Sequence, residues 1–190
     1  MSENLENKTN ISTKFIDKIK SYKKIILSII ILLLIILSSL FYLNFKAEKN
    51  LILFSDKFNS AKILLREKKE NEAKEILNNL INEKNNFYSP LALFFIIENK
   101  LEQKTEIIIE SFDKILKINS IDKENINLIK LKKSIYLINL GDEQKALETL
   151  KPIINSDSVW RENALKILAD YFIEKGEFNK SKEYLRLLKK

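Results

Sequence analysis

YLINLGDEQKALETL (Tyr136–Leu150) and YFIEKGEFNKSKEYL (Tyr171–Leu185) follow one pattern. Each runs tyrosine, four residues, glycine, an acidic residue, then a small residue five after the glycine and a leucine four beyond that. The glycine suits the end of a helix, where the backbone turns left-handed at φ > 0. The small residue (Ala146, Ser181) lets a second helix approach the first, and the larger one (Leu150, Leu185) fills the seam between them. Gly141 and Gly176 lie 35 residues apart, so the unit that repeats is a helix–turn–helix pair.

Weaker copies lie upstream. REKKENEAKEILNNL (Arg66–Leu80) puts Ala73 at the small position and Leu77 at the large one; LEQKTEIIIESFDKI (Leu101–Ile115) puts Ile108 and Phe112 there. Neither copy has the glycine, Ile108 is not small, and Lys130 and Lys133 stand where the third copy should be apolar. Apolar stripes at helical spacing support the same organisation: Phe54, Phe58, Ala61 and Leu65, then Leu128, Leu131, Ile135 and Ile138. The expectation is about four stacked helix pairs, since one pair alone cannot bury its apolar face; a plain helical bundle is the alternative.

Composition points the same way. The 190 residues contain two glycines and two prolines, too few for the tight turns of an all-β fold. Hydrophobic residues at 45% and charged residues at 31% fit amphipathic helices and exclude wholesale disorder. Of the net charge of +7, residues 1–24 hold +3 and the remainder +4. Acids and lysines alternate along the later helices as on a solvated surface, so no nucleic-acid partner is expected.

Ile25 to Leu43, IILSIIILLLIILSSLFYL, carries no charge. At 1.5 Å per residue a helix of that length spans roughly 28 Å, close to the hydrocarbon core of a bilayer. No A-x-A-like site follows it, and the apolar stretch exceeds a signal peptide's core, so an uncleaved anchor is expected. The organisation read from the sequence is a basic tail (1–24), a transmembrane anchor (25–43) embedded in the lipid bilayer, and a helical repeat domain (44–190). Lys14, Lys18, Lys20, Lys23 and Lys24 precede the span, against Lys46, Lys49 and Lys57 after it. That bias predicts a cytoplasmic N-terminus and a translocated C-terminal domain.

Chemistry has little to work with. There is no histidine and no cysteine, which removes the commonest general base, the thiolate nucleophile and the usual soft metal ligands. Two glycines 35 residues apart build neither a phosphate loop nor a dinucleotide fingerprint. The N-x-S/T matches at Asn7, Asn10 and Asn179 are what chance gives in an asparagine-rich chain. The domain is expected to be non-enzymatic, with no catalytic residue, cofactor or metal. A protein-binding groove would lie along the first helix of each pair, and alignment of the copies assigns it Phe58, Lys62, Leu93, Ile97, Leu131, Ile135, Lys166 and Asp170. The apolar members read more readily as core than as groove. Trp160, opening a helix after Ser156-Asp157-Ser158, reads as a packing anchor between repeats.

The 35-residue period and the Gly–small–large pattern resemble tetratricopeptide repeats, which makes the expected fold all-α: a single transmembrane helix, then a tetratricopeptide-like solenoid. ALETLKPIINSDSVWRENALKILADYFIEKGEFNKSKEYLRLL (Ala146–Leu188) resembles the repeat domain of the YfgM family, ancillary subunits of the bacterial SecYEG translocon. Ala146–Leu150, Pro152, Trp160, Ala164–Tyr171 and Gly176–Leu185 carry that likeness. It implies an inner-membrane protein with a periplasmic domain, partnered by the Sec translocon and periplasmic chaperones during secretion. Two other readings stay open: a cytosol-facing receptor for targeting peptides, and an oligomerising structural subunit of an envelope complex.

Overall fold

The computed structural model of the chain describes residues 22–188, apart from the side chains of Lys23, Ile26 and residues 43–48. Most of the expected tail, residues 1–21, therefore lies outside the described residues. Among them are eight α-helices and no strand: α1 (Lys23–Arg66), α2 (Glu70–Asn82), α3 (Tyr88–Glu98), α4 (Thr105–Ile115), α5 (Lys123–Asn139), α6 (Glu143–Ile154), α7 (Arg161–Glu174) and α8 (Phe178–Leu187). The chain divides into two compact units, residues 1–53 and 54–190.

In the first unit α1 carries no charge from residue 25 to 43, and its described side chains from Leu27 to Tyr42 are all exposed. Ile26 and residues 43–48 fall outside the described side chains. Counted over the described residues, no helix is long and apolar enough to cross a membrane. In the sequence itself the uncharged run is unbroken from Ile25 to Leu43.

The second unit is built of four helix pairs: residues 54–66 of α1 with α2, α3 with α4, α5 with α6, and α7 with α8. From α2 onward each helix packs on the next in sequence, and α5 also reaches α7. Every pair closes on the same backbone device. The residue just past the first helix is left-handed: Lys68 (φ 63°), Lys100 (φ 52°), Gly141 (φ 78°) and Gly176 (φ 73°). The next amide then donates back to a carbonyl five residues earlier: Lys69 to Leu64 (2.9 Å), Leu101 to Ile96 (3.0 Å), Asp142 to Leu137 (3.0 Å) and Glu177 to Phe172 (2.8 Å). This six-to-one bond satisfies carbonyls that a helix end leaves without partners. The absent glycines of the first two copies therefore mark no change in the turn; lysine adopts the same conformation.

The small and large positions behave as the pattern requires, with one exception. Ala73, Ile108, Ala146 and Ser181 are all buried, and so are Leu77, Phe112 and Leu150. Ile108 fits because the α3–α4 turn carries three more residues than the others, with Leu101 tucked into the core. Leu185 departs from expectation: it is 40% exposed, because among the described residues no further pair covers it. The inner face of α8 does fold back, with Tyr184 stacked on Phe172 at 5.6 Å. Each fully buried leucine or phenylalanine contributes about 1.5–3 kcal/mol, and these residues carry the packing of the unit.

Polar ties fix the connections. Asp122 and Asp142 cap α5 and α6, accepting from the amides of Asn125 (2.9 Å) and Lys145 (3.2 Å). Buried Asn127 donates to Ser158 Oγ (3.0 Å), which donates to Glu124 (2.6 Å), so α5 holds the turn ahead of α7. Trp160 packs against the cluster of Leu131, Leu150, Ile153, Ala164 and Leu168. Arg161 donates to the carbonyls of Ile154 (3.0 Å) and Leu187 (3.1 Å), joining the ends of α6 and α8. Lys133, out of place in the sequence pattern, is ion-paired with Asp113 of α4 at 2.6 Å.

Candidate protein-binding groove

Helix α3, SPLALFFII at its centre, is apolar all round, so one face can enter the core while another stays available. Leu93 and Ile96 take the core side. Leu91, Phe94 and Ile97 are only half-buried. Across from them α5 presents Leu128, Lys132, Ile135 and Tyr136. Ile129 of α5 reaches the same core cluster as Leu93 and Ile96 of α3, but the outer sides of the two helices stand apart. The gap between them is a groove.

Two cavities lie along it. The upper one, about 250 Å³, is lined by Phe87, Pro90, Leu91, Phe94, Leu128 and Ile129, with Asn86 and Asn125 at its rim. The lower one, about 360 Å³, is lined by Phe94, Ile97, Phe112, Ile135 and Tyr136, with Glu98, Lys132 and Asn139. Phe94 is the wall they share. Phe112 forms the floor of the lower cavity, its ring 6.4 Å from Phe94 and 6.3 Å from Tyr136. Phe87, at the upper mouth, is 61% exposed. A concave apolar lining with a few polar groups at its edge is the general form of a binding site.

The sequence-assigned residues divide. Ile97 and Ile135 come together in the lower cavity. Leu93 and Leu131 are 1% and 5% exposed and belong to the core, which leaves them no surface to offer. Phe58 is half-buried against Tyr88 and Phe95 (ring centroids at 6.2 and 5.4 Å), so it packs the first pair onto α3. Lys62 is half-buried on α1; Lys166 and Asp170 are exposed on α7, and none of these three lines the groove. Phe94, Leu128 and Tyr136 were missed. Counting at a fixed offset from the small residue selects the helix face toward the core, and α3 offers no polar face to correct the choice.

Elsewhere charge is arranged for structure. Glu143 accepts hydrogen bonds from Lys175 and from Tyr171 Oη (3.0 Å), with Lys180 at 3.9 Å. The Lys175 ammonium, ahead of the other contacts, holds the Glu143 carboxyl below its ordinary range, and Glu143 in turn raises Lys175. Lys74 does the same to Glu102 at 2.6 Å, tying α2 to the α3–α4 turn. Among the described residues no group of three or more His, Cys, Asp or Glu is placed to hold a metal ion. No family model matches the chain, nor does any curated protein or solved structure.

Proposed function

We propose that the protein is a membrane-anchored, non-enzymatic scaffold that binds other proteins through the groove between α3 and α5. The observation that carries this reading is the pair of apolar cavities joined at Phe94 and open to solvent on a helical repeat unit. Repeat architectures commonly use such surfaces for partners. The unbroken uncharged run Ile25–Leu43, inside a helix whose described side chains there are all exposed, supports the anchor: an apolar helix surface uncovered by the described residues calls for an apolar solvent.

The lysine excess before the run supports a cytoplasmic N-terminus and a translocated repeat unit in a bacterial inner membrane. The likeness of Ala146–Leu188 to translocon-ancillary subunits supports a role beside the Sec machinery, handing secreted clients to periplasmic folding factors. A cytosol-facing receptor would use the same groove with the opposite topology.

A photo-crosslinking amino acid in place of Phe94, activated in intact spheroplasts treated in parallel with protease, separates these readings. Digestion of the repeat unit from outside, with cross-links to a translocon subunit or a periplasmic chaperone, is the expected result. Protection until the membrane is lysed overturns the translocated topology and leaves the receptor. Digestion with no cross-link from Phe94, but retained cross-linking from exposed Lys166 on α7, moves the binding surface away from the groove.

A further inference from the structure

We propose that the occupant of this groove is an amphipathic α-helix of a partner protein, presenting two apolar anchors seven residues apart, a basic edge toward α3 and an acidic edge toward α5. The proposal rests on the scaffold reading above and adds the shape and charge of what is bound.

The spacing of the cavities selects the helix. On α5 the upper cavity is served by Leu128 and the lower by Ile135, seven residues and two turns on, a rise of about 10.5 Å. A bound helix brings residues i and i+7 to one face over the same distance. An extended peptide covers about 10 Å in three residues, and its residues i and i+3 point to opposite sides. Residues i+2 and i+4 return to the first side at about 7 and 13 Å, missing the second cavity in both cases. Pairing onto a sheet edge, the other way of holding an extended segment, is not available because the described residues contain no strand.

Charge sets the edges. Glu98 on α3 and Lys132 on α5 flank the lower cavity from opposite walls, both exposed, and among the described residues neither forms a salt bridge. The nearby Lys133 is already engaged by Asp113, so among the described residues lining the lower cavity Lys132 is the cation offered to the ligand. The rim of the upper cavity is uncharged, with Asn86 and Asn125. A partner helix with lysine or arginine along one edge and glutamate or aspartate along the other meets both walls at the lower cavity. The lower cavity is the larger and is walled by Phe94, Phe112 and Tyr136, so it suits an aromatic anchor; the upper suits leucine.

The test uses the full chain in phosphatidylcholine nanodiscs, with empty nanodiscs as reference. The probe is a fluorescent alanine-based peptide of about eighteen residues, long enough to hold a helix, with leucine and phenylalanine seven apart, a lysine edge and a glutamate edge. Fluorescence anisotropy is expected to show saturable binding above empty discs. A central proline should weaken it by at least roughly tenfold, since proline breaks a helix interior by removing a hydrogen bond and clashing with the preceding turn. Exchanging the two edges should weaken it by about threefold, and the double variant Glu98→Lys with Lys132→Glu should restore it. Leu128→Lys, which changes a half-buried groove residue, should abolish binding with the circular dichroism spectrum unchanged. Equal binding of the proline peptide overturns the helical occupant. Indifference to the edges overturns the charge assignment. Binding of no peptide, while a photo-crosslinker at Phe94 still captures a translocon subunit or chaperone, overturns this proposal and leaves the scaffold standing.

Discussion

The first two helix pairs close with lysine where the last two close with glycine, yet the backbone is the same. Lys68 and Lys100 sit at φ 63° and 52°, Gly141 and Gly176 at 78° and 73°, and all four turns carry the six-to-one hydrogen bond. An L-residue in that region is disfavoured by roughly 1–2 kcal/mol relative to its usual conformations. The lysine turns therefore form because the buried residues on either side demand them. Leu77 and Phe112 sit behind those turns as Leu150 sits behind Gly141, fully buried. Packing worth several kcal/mol overrides a local preference worth about one.

That difference can be tested by substitution in the detergent-solubilised full chain, read by circular dichroism in urea. The largest effect belongs to the packing. Phe112→Ala in the first half and Phe172→Ala in the second should each cost about 3–5 kcal/mol. Both should shift one cooperative transition, because Phe112 and Ile129 lie in one cluster across the junction of the halves; two separate transitions would show that the halves unfold independently.

Next come the turns themselves. A methyl group at Gly141 or Gly176 would meet nothing within 4 Å, so alanine there tests the backbone alone. A loss of about 1 kcal/mol is expected, and no loss would mean that the left-handed cost is negligible at these turns. Asp142→Ala, which removes the cap on α6, should cost a similar amount, about 1 kcal/mol, while leaving the urea dependence of the transition unchanged. The converse substitutions, Lys68→Gly and Lys100→Gly, should stabilise by about 0.5–1 kcal/mol, the relief of strain partly offset by the freer unfolded chain. A destabilisation would show that the lysine side chains contribute more than the backbone loses.

The smallest effect is spread over several carboxylates. Glu102, Asp122, Asp142, Glu143 and Glu177 are all held below their ordinary range, each first by a hydrogen bond from a lysine or an amide. A depressed folded-state value means that the stabilisation is complete above the unfolded value and is lost as pH falls through the folded one. Stability should therefore be flat at neutral pH and decline below about 4.5. In 1 M salt the decline should become shallower, since the groups are at or near the surface.

Much of the fold was legible in the sequence because the repeat signal and the helix-pair geometry share one period. The positions of Ala73, Ile108, Ala146 and Ser181 fell where the small-residue series put them, all of them buried. What failed was residue-level detail. No glycine announced the turns at Lys68 and Lys100, since their conformation comes from contacts distant in sequence. Lys133 looked like a defect in an apolar stripe until Asp113 supplied its partner. Of the residues assigned to a groove, Ile97 and Ile135 line the lower cavity, while Leu93 and Leu131 lie in the core, the alternative the sequence left open for them. On an all-apolar helix such as α3, hydrophobicity cannot say which face meets water.

The order of packing along the unit also bears on how the chain reaches this state. From α2 onward each helix rests on the one made just before it, and α5 with α7 is the long step. Loops to be closed are short, so the entropic barrier to each docking event is small and folding is expected to be fast for a chain of this size. A polypeptide emerging from N- to C-terminus could seat each pair on the last without waiting for its distal end. Apolar surface would then be uncovered only at the growing edge, where the next pair arrives to shield it.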